Sequence, residues 1–130
     1  MNKLIKHALE AGKKAYAPYS KFSVGAAVEL NNGEIITGAN VENASYGLSN
    51  CAERTALFSA YAQGYRKQDI KAIAVVTNTD NPGSPCGACR QVMSELLPSN
   101  AKIYLGNHKG DLKETTIEEL LPYAFKPSDL

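Results

Sequence analysis

The sequence predicts an α/β domain built on a mixed β-sheet with helices packed on its faces, and three observations carry that expectation. The run Ile70–Thr77 is mostly apolar and β-branched, with the length of a strand covered on both faces. It is flanked by two stretches of helix-forming composition, 52–62 and 86–97, and strands separated by helices imply parallel crossovers. Earlier, two short strand-like segments meet across Asn31-Asn32-Gly33, residue types that suit a hairpin turn and therefore an antiparallel pair.

In chain order, Asn2 is a good helix cap, and Leu4, Ile5, Ala8, Leu9, Ala15 and Tyr16 follow a helical period as far as the stop at Pro18. Lys3, Lys6, Lys13 and Lys14 lie largely off that stripe and read as its solvated face. Strands are expected at 22–30 and 34–39, then a polar, irregular stretch over 40–50. The 52–62 helix has a natural C-terminal stop at Gly64. After the strand at 70–77 comes a loop with two prolines and a glycine, 78–85. The third helix, 86–97, turns Val92, Met93, Leu96 and Leu97 toward the core. A strand at 102–105, a turn at 106–111 and a short edge strand at 112–114 follow. Thr116 with Glu119 three residues later is a capping-box pattern for a last helix that stops before Pro122.

At 130 residues, with no internal repeat or low-complexity tract, the chain is expected to form a single domain over residues 1–130. Hydrophobic residues at 44% and charged residues at 21% exclude a disordered or collagen-like chain. The net charge of +1, with no basic stripe, speaks against a nucleic-acid partner. No segment approaches the run of apolar residues that a membrane span needs. The first residues lack the apolar core and cleavage site of a signal peptide, so the expected compartment is the cytoplasm.

Three cysteines, Cys51, Cys86 and Cys89, cannot all pair within one chain, which disfavours a secreted disulfide scaffold. Cys86-Gly87-Ala88-Cys89 by itself leaves metal ligation, a redox pair and inert buried thiols all open. Cys51 shifts the balance, because both cysteine groups fall at the expected start of a helix just after a loop. Helical side chains lean toward the N-terminus, so three sulfurs can converge in front of two helix ends. Three thiolates on a tetrahedral zinc leave one position open, the mark of a catalytic rather than a structural site. Neither His7 nor His108 has the spacing of a fourth ligand, and a redox role would leave Cys51 and Glu53 without a part.

Cys51-Ala52-Glu53 followed by Pro85-Cys86-Gly87-Ala88-Cys89 resembles the signature of zinc nucleobase deaminases, with Cys in place of His in the first motif. Phe22-Ser23-Val24-Gly25-Ala26-Ala27, Asn40-Val41-Glu42-Asn43-Ala44, Asn50 to Ala56, Ser84 to Val92 and Glu119-Leu120-Leu121-Pro122 resemble the small cytidine deaminases, in order and over nearly the whole chain. The resemblance implies a three-layer α-β-α fold with a mixed sheet of about five strands. It implies one Zn²⁺ per chain on Cys51, Cys86 and Cys89. It also implies hydrolytic deamination of cytidine and 2′-deoxycytidine to uridine and 2′-deoxyuridine plus ammonia, a step of pyrimidine salvage. In that chemistry a hydroxide formed at the zinc attacks C4, and Glu53 delivers the water's proton to N3 and then protonates the departing ammonia.

Zn²⁺ with three thiolates has a surplus negative charge, and the resemblance gives Arg54 the task of offsetting it, with Arg90 a second candidate. It makes Phe22 a wall for the base, assigns Asn40 and Glu42 to the sugar 3′-hydroxyl, and counts Ala52 among the substrate-binding residues. Tyr46 and Phe125 match aromatics that reach a neighbouring subunit's site, so a homotetramer with shared active sites is expected. Keeping both Asn40 and Glu42 favours an ordinary ribose or deoxyribose over a modified nucleoside.

Overall fold

The structure, a computed structural model, describes residues 2–130. Asn2 caps α1 (Lys3–Gly12), its Oδ1 accepting the Leu4 N–H at 2.7 Å. Leu4, Ile5, Ala8 and Ala11 are buried and the four lysines are exposed, as the period predicts. The helix ends at Gly12, short of Tyr16. Lys13, Lys14 and Ala15 unwind it through bonds to the carbonyls three residues back. Tyr16 is then free to pair with the 40–42 segment, its N–H donating to Asn40 O at 2.9 Å while Glu42 N–H donates to Tyr16 O at 2.8 Å. A non-local pairing thus overrides a helical period that continues in the sequence.

The hairpin is present. β1 (Val24–Leu30) and β2 (Ile35–Ala39) run antiparallel, and Gly33 supplies the positive φ of +92° at the turn. β3 (Ile70–Thr77), β4 (Lys102–Asn107) and β5 (Leu112–Thr115) complete a five-stranded mixed sheet in the order β2-β1-β3-β4-β5. β3 and β4 are parallel, and the other three pairs are antiparallel. β4 outlasts the expected 102–105 because Gly106 pairs with both Val76 and Leu112, and Asn107 with Thr77. Since β1 is antiparallel to both its neighbours, β2 and β3 point the same way. The crossovers run through α2 (Ala52–Ala62) between β2 and β3 and α3 (Gly87–Leu96) between β3 and β4. The short α4 (Ile117–Leu120) starts where Thr116 Oγ1 accepts the Glu119 N–H at 3.3 Å.

Strand alternation divides the core into two. Ala26, Val28, Ile73, Val75, Ile103 and Leu105 pack under Ala56, Leu57 and Ala60 of α2, with Met93 of α3 and Ile117 of α4. On the other face Ala27, Ala72, Ala74 and Val76 meet Leu4, Ile5 and Ala8 of α1. The result is three layers, α1 over the sheet over α2, α3 and α4. Small residues let α1 lie close to the strands. A Cβ placed on Gly25 would stand 1.9 Å from Ala8 O and 2.4 Å from Gly12 N, both backbone atoms that cannot step aside. Gly25→Ala is therefore expected to cost about 3 kcal/mol, the upper part of the overpacking range. A urea midpoint lowered at constant m-value would report it, and an unchanged midpoint would contradict this packing.

No helix among the described residues is long and apolar enough to cross a membrane.

Candidate active site

Because β2 and β3 share a direction, the helices that follow them begin at the same edge of the sheet, where open α/β layers place their ligands. Cys51 is the extended residue that caps α2, Cys86 does the same for α3, and Cys89 stands in the first turn of α3. Their sulfurs lie within 4.8 Å of one another, and Cys51 Sγ is 3.8 Å from Cys86 Sγ. Ligands about 2.3 Å from a tetrahedral zinc are about 3.8 Å apart, so the donor set fits this ion. Cys51, Cys86 and Cys89 form a cluster able to hold a metal ion, and all three are free of disulfides.

The surroundings favour a thiolate at Cys51 and oppose one at Cys89, whose hydrogen bond with Cys51 and burial push its thiol up. Arg54 Nη2 donates to Cys51 Sγ at 3.3 Å, and the Cys89 backbone N–H donates to Cys86 Sγ at 3.3 Å. The Cys51 thiol is drawn down to about 5, first by its hydrogen bond with Cys89 and then by Arg54, against the opposing effect of burial. Arg54 is thus brought to the Cys51 sulfur, while its Nε is buried without a hydrogen-bond partner. Arg90 is not. It donates through Nε to Pro85 O at 2.9 Å and through Nη1 to Leu120 O at 2.7 Å, fastening α3 to the loop before it and to α4.

Glu53 sits in the first turn of α2 at 4% exposure. Burial, followed by the nearby Cys51 charge, pushes its carboxyl above the ordinary range, although its own backbone bond pulls the other way. A cavity of about 300 Å³ opens beside it, lined by Phe22, Asn40, Glu42, Cys51, Ala52 and Cys86 among others. A larger cleft of about 960 Å³ between α3 and the C-terminal segment contains none of these residues.

Asn40 already works for the fold, its Oδ1 accepting Val24 N–H at 2.9 Å and its Nδ2 donating to Phe22 O at 2.8 Å. Each end of that amide keeps one further hydrogen-bonding position. Glu42 is held ionised, its carboxyl lowered first by the Ser20 hydroxyl and then by backbone N–H groups. Tyr46 and Phe125 do not line this cavity within the chain. They stand 80% and 58% exposed, Tyr46 in a 3₁₀ turn at 46–48 and Phe125 with its carbonyl accepting from Gln91 Nε2 at 3.0 Å.

Sequence reasoning missed Ser20, Thr77 and Ser84 in the cavity wall. Thr77 Oγ1 accepts Gly83 N–H at 3.1 Å and so shapes the loop that leads to Cys86. Ser84 was within reach, since it adjoins Pro85-Cys86. Ser20 and Thr77 enter through folding alone.

A family model described as "Cytidine and deoxycytidylate deaminase zinc-binding region" matches residues 1–105. The chain is 60% identical over 127 residues to a cytidine deaminase of Halalkalibacterium halodurans, covering 98% of this chain and 95% of that one. It is 51% identical over 130 residues to a cytidine deaminase of Sporosarcina psychrophila, covering 100% of this chain and 94% of the other. The crystal structure of cytidine deaminase from Burkholderia pseudomallei superimposes with a TM-score of 0.91 at 57% identity, over 96% of this chain and 100% of that chain.

Proposed function

The chain belongs to the cytidine and deoxycytidylate deaminase zinc-binding family, and on that premise we propose that it hydrolyses cytidine and 2′-deoxycytidine to uridine and 2′-deoxyuridine, with ammonia released. The observation that carries this reading is one cavity wall holding Cys51 and Cys86 of the three-sulfur cluster, the buried Glu53 and the polar pair Asn40 and Glu42. Cys51, Cys86 and Cys89 would hold one zinc ion, which when bound supplies a Lewis acid that makes water a stronger acid.

The chain's own residues do the rest. Glu53 accepts a proton of the attacking water and passes it to ring N3, then takes the proton of the new C4 hydroxyl and gives it to the departing amino group, which leaves as ammonia. Buried in the cavity wall, its carboxyl is shielded from bulk water, so protons it takes up are passed to the substrate rather than lost to solvent. Arg54, bonded to Cys51 Sγ, offsets part of the thiolate charge, and the N-termini of α2 and α3 add positive potential. Phe22 gives the base an apolar wall, and Asn40 and Glu42 receive the sugar hydroxyl. Ala52, wholly buried at the start of α2, leaves room for the base beside Cys51 and Glu53.

Tyr46 and Phe125, large aromatics standing in solvent within one chain, would complete the site of a neighbouring subunit in a homotetramer. The reading places this single-domain enzyme in pyrimidine salvage in the cytoplasm.

An ultraviolet assay of the zinc-loaded protein tests it, since loss of the 4-amino group changes the absorbance directly. Cytidine and 2′-deoxycytidine are expected to turn over, and free cytosine, with no sugar for Asn40 and Glu42, to turn over poorly. No change with either nucleoside would overturn the reading.

A further inference from the structure

The Glu42 carboxylate is reached from one short segment. Its Oε1 accepts the backbone N–H groups of Tyr19 and Ser20, each at 3.1 Å, and its Oε2 accepts the Ser20 hydroxyl. The same hydroxyl accepts the Phe22 N–H at 3.0 Å. One oxygen atom therefore links the residue read as the sugar ligand to the residue read as the wall of the base. An ionised carboxylate offers about four acceptor places. Three are filled from this segment, two on Oε1 and one on Oε2.

We propose that Ser20 is a positioning residue that holds Glu42 and Phe22 in fixed relation and leaves the carboxylate one free acceptor place, on Oε2, for a single hydroxyl of the substrate sugar. The backbone supports this assignment. Lys21, between Ser20 and Phe22, has a φ of +60°, a left-handed conformation that a lysine adopts only when its surroundings impose it. They do so from both sides. Lys21 N–H donates to Ala17 O at 3.1 Å, and Asn78 ties the segment to the end of β3, its Nδ2 donating to Lys21 O and its Oδ1 accepting Ser23 N–H, both at 3.2 Å. A merely solvated loop would need none of these bonds. Ser20 also lines the cavity, so its hydroxyl acts at the mouth of the site itself.

The proposal rests on the deaminase reading, and its test separates the two. 2′-Deoxycytidine and 2′,3′-dideoxycytidine differ only in the 3′-hydroxyl. With 2′-deoxycytidine as substrate, Ser20→Ala is expected to raise KM about tenfold and to keep kcat within about twofold, as for loss of a charge-assisted hydrogen bond that orients a binding group. With the dideoxy substrate, which can register only the loss of the Phe22 anchor, the fall in kcat/KM is expected to be at least about threefold smaller. Ser20→Thr, which keeps the hydroxyl, should remain close to wild type. Equal losses on both nucleosides, no loss on either, or a Thr variant as impaired as the Ala variant would overturn the proposal.

A second measurement needs no turnover. The ¹³C resonance of the Glu42 carboxyl, whose charged neighbour is Lys21, should titrate at higher pH in Ser20→Ala than in wild type, because a donor to the anion has gone. An unchanged midpoint would overturn the proposal. Wild-type protein that turns over neither nucleoside would refute the deaminase reading, while the titration would still decide the role of Ser20.

Discussion

Glu53→Gln is expected to lower kcat by about 10²- to 10⁴-fold while zinc content and fold are retained. The amide fills the volume of the carboxyl and keeps hydrogen-bonding capacity, but it cannot take protons from the water and the new C4 hydroxyl and deliver them to N3 and the departing amino group. At 4% exposure Glu53 is already placed where burial disfavours its ionised form, so the neutral amide suits the site and the fold should not suffer. Steady-state kinetics beside metal analysis of the same preparation read both halves of the expectation. Near-normal turnover in a zinc-loaded variant would remove Glu53 from the proton path.

The other large effect is expected for Cys89→Ala, which should lose the metal and, with it, turnover above background. Cys89 is the wholly buried member of the cluster, and its backbone N–H supports the neighbouring Cys86 sulfur. Alanine leaves two sulfurs and a void behind them, and two thiolates on separate helix starts cannot close three corners of a tetrahedron. Metal content per chain should fall from about one to near zero in elemental analysis. A variant that retains a full complement of zinc with wild-type activity would show that the ligand set has been misread.

What could be read from the sequence divides along physical lines. Ala52–Ala62 and Ile70–Thr77 end where expected, because helix formers, a glycine stop and a β-branched apolar run are local signals. The end of α1 was not local. Ala15 and Tyr16 continue the helical period, but Tyr16 pairs with a segment two strands later. The insertion of β1 between β2 and β3 was equally hidden, since element order does not say which strands are neighbours. In the site, the helix starts of Cys51, Cys86 and Cys89 made their meeting an expectation, while the zinc set and the place of Arg54 came from the resemblance. Arg90, closer still to a cysteine in sequence, holds two carbonyls instead. Ser20 gave no signal because its hydroxyl acquires meaning only where the chain returns with Glu42, 22 residues later.

The placing of β1 has a consequence in time. β3 must find a partner that the chain left two elements earlier, and closing so long a loop is among the slower acts of folding. Cys51 precedes β3, while Cys86 and Cys89 follow it, so an ion on the three sulfurs would close the chain around that strand. α2 and α3 could not part while one ion gripped both, so bound metal is expected to lengthen the life of each folded molecule.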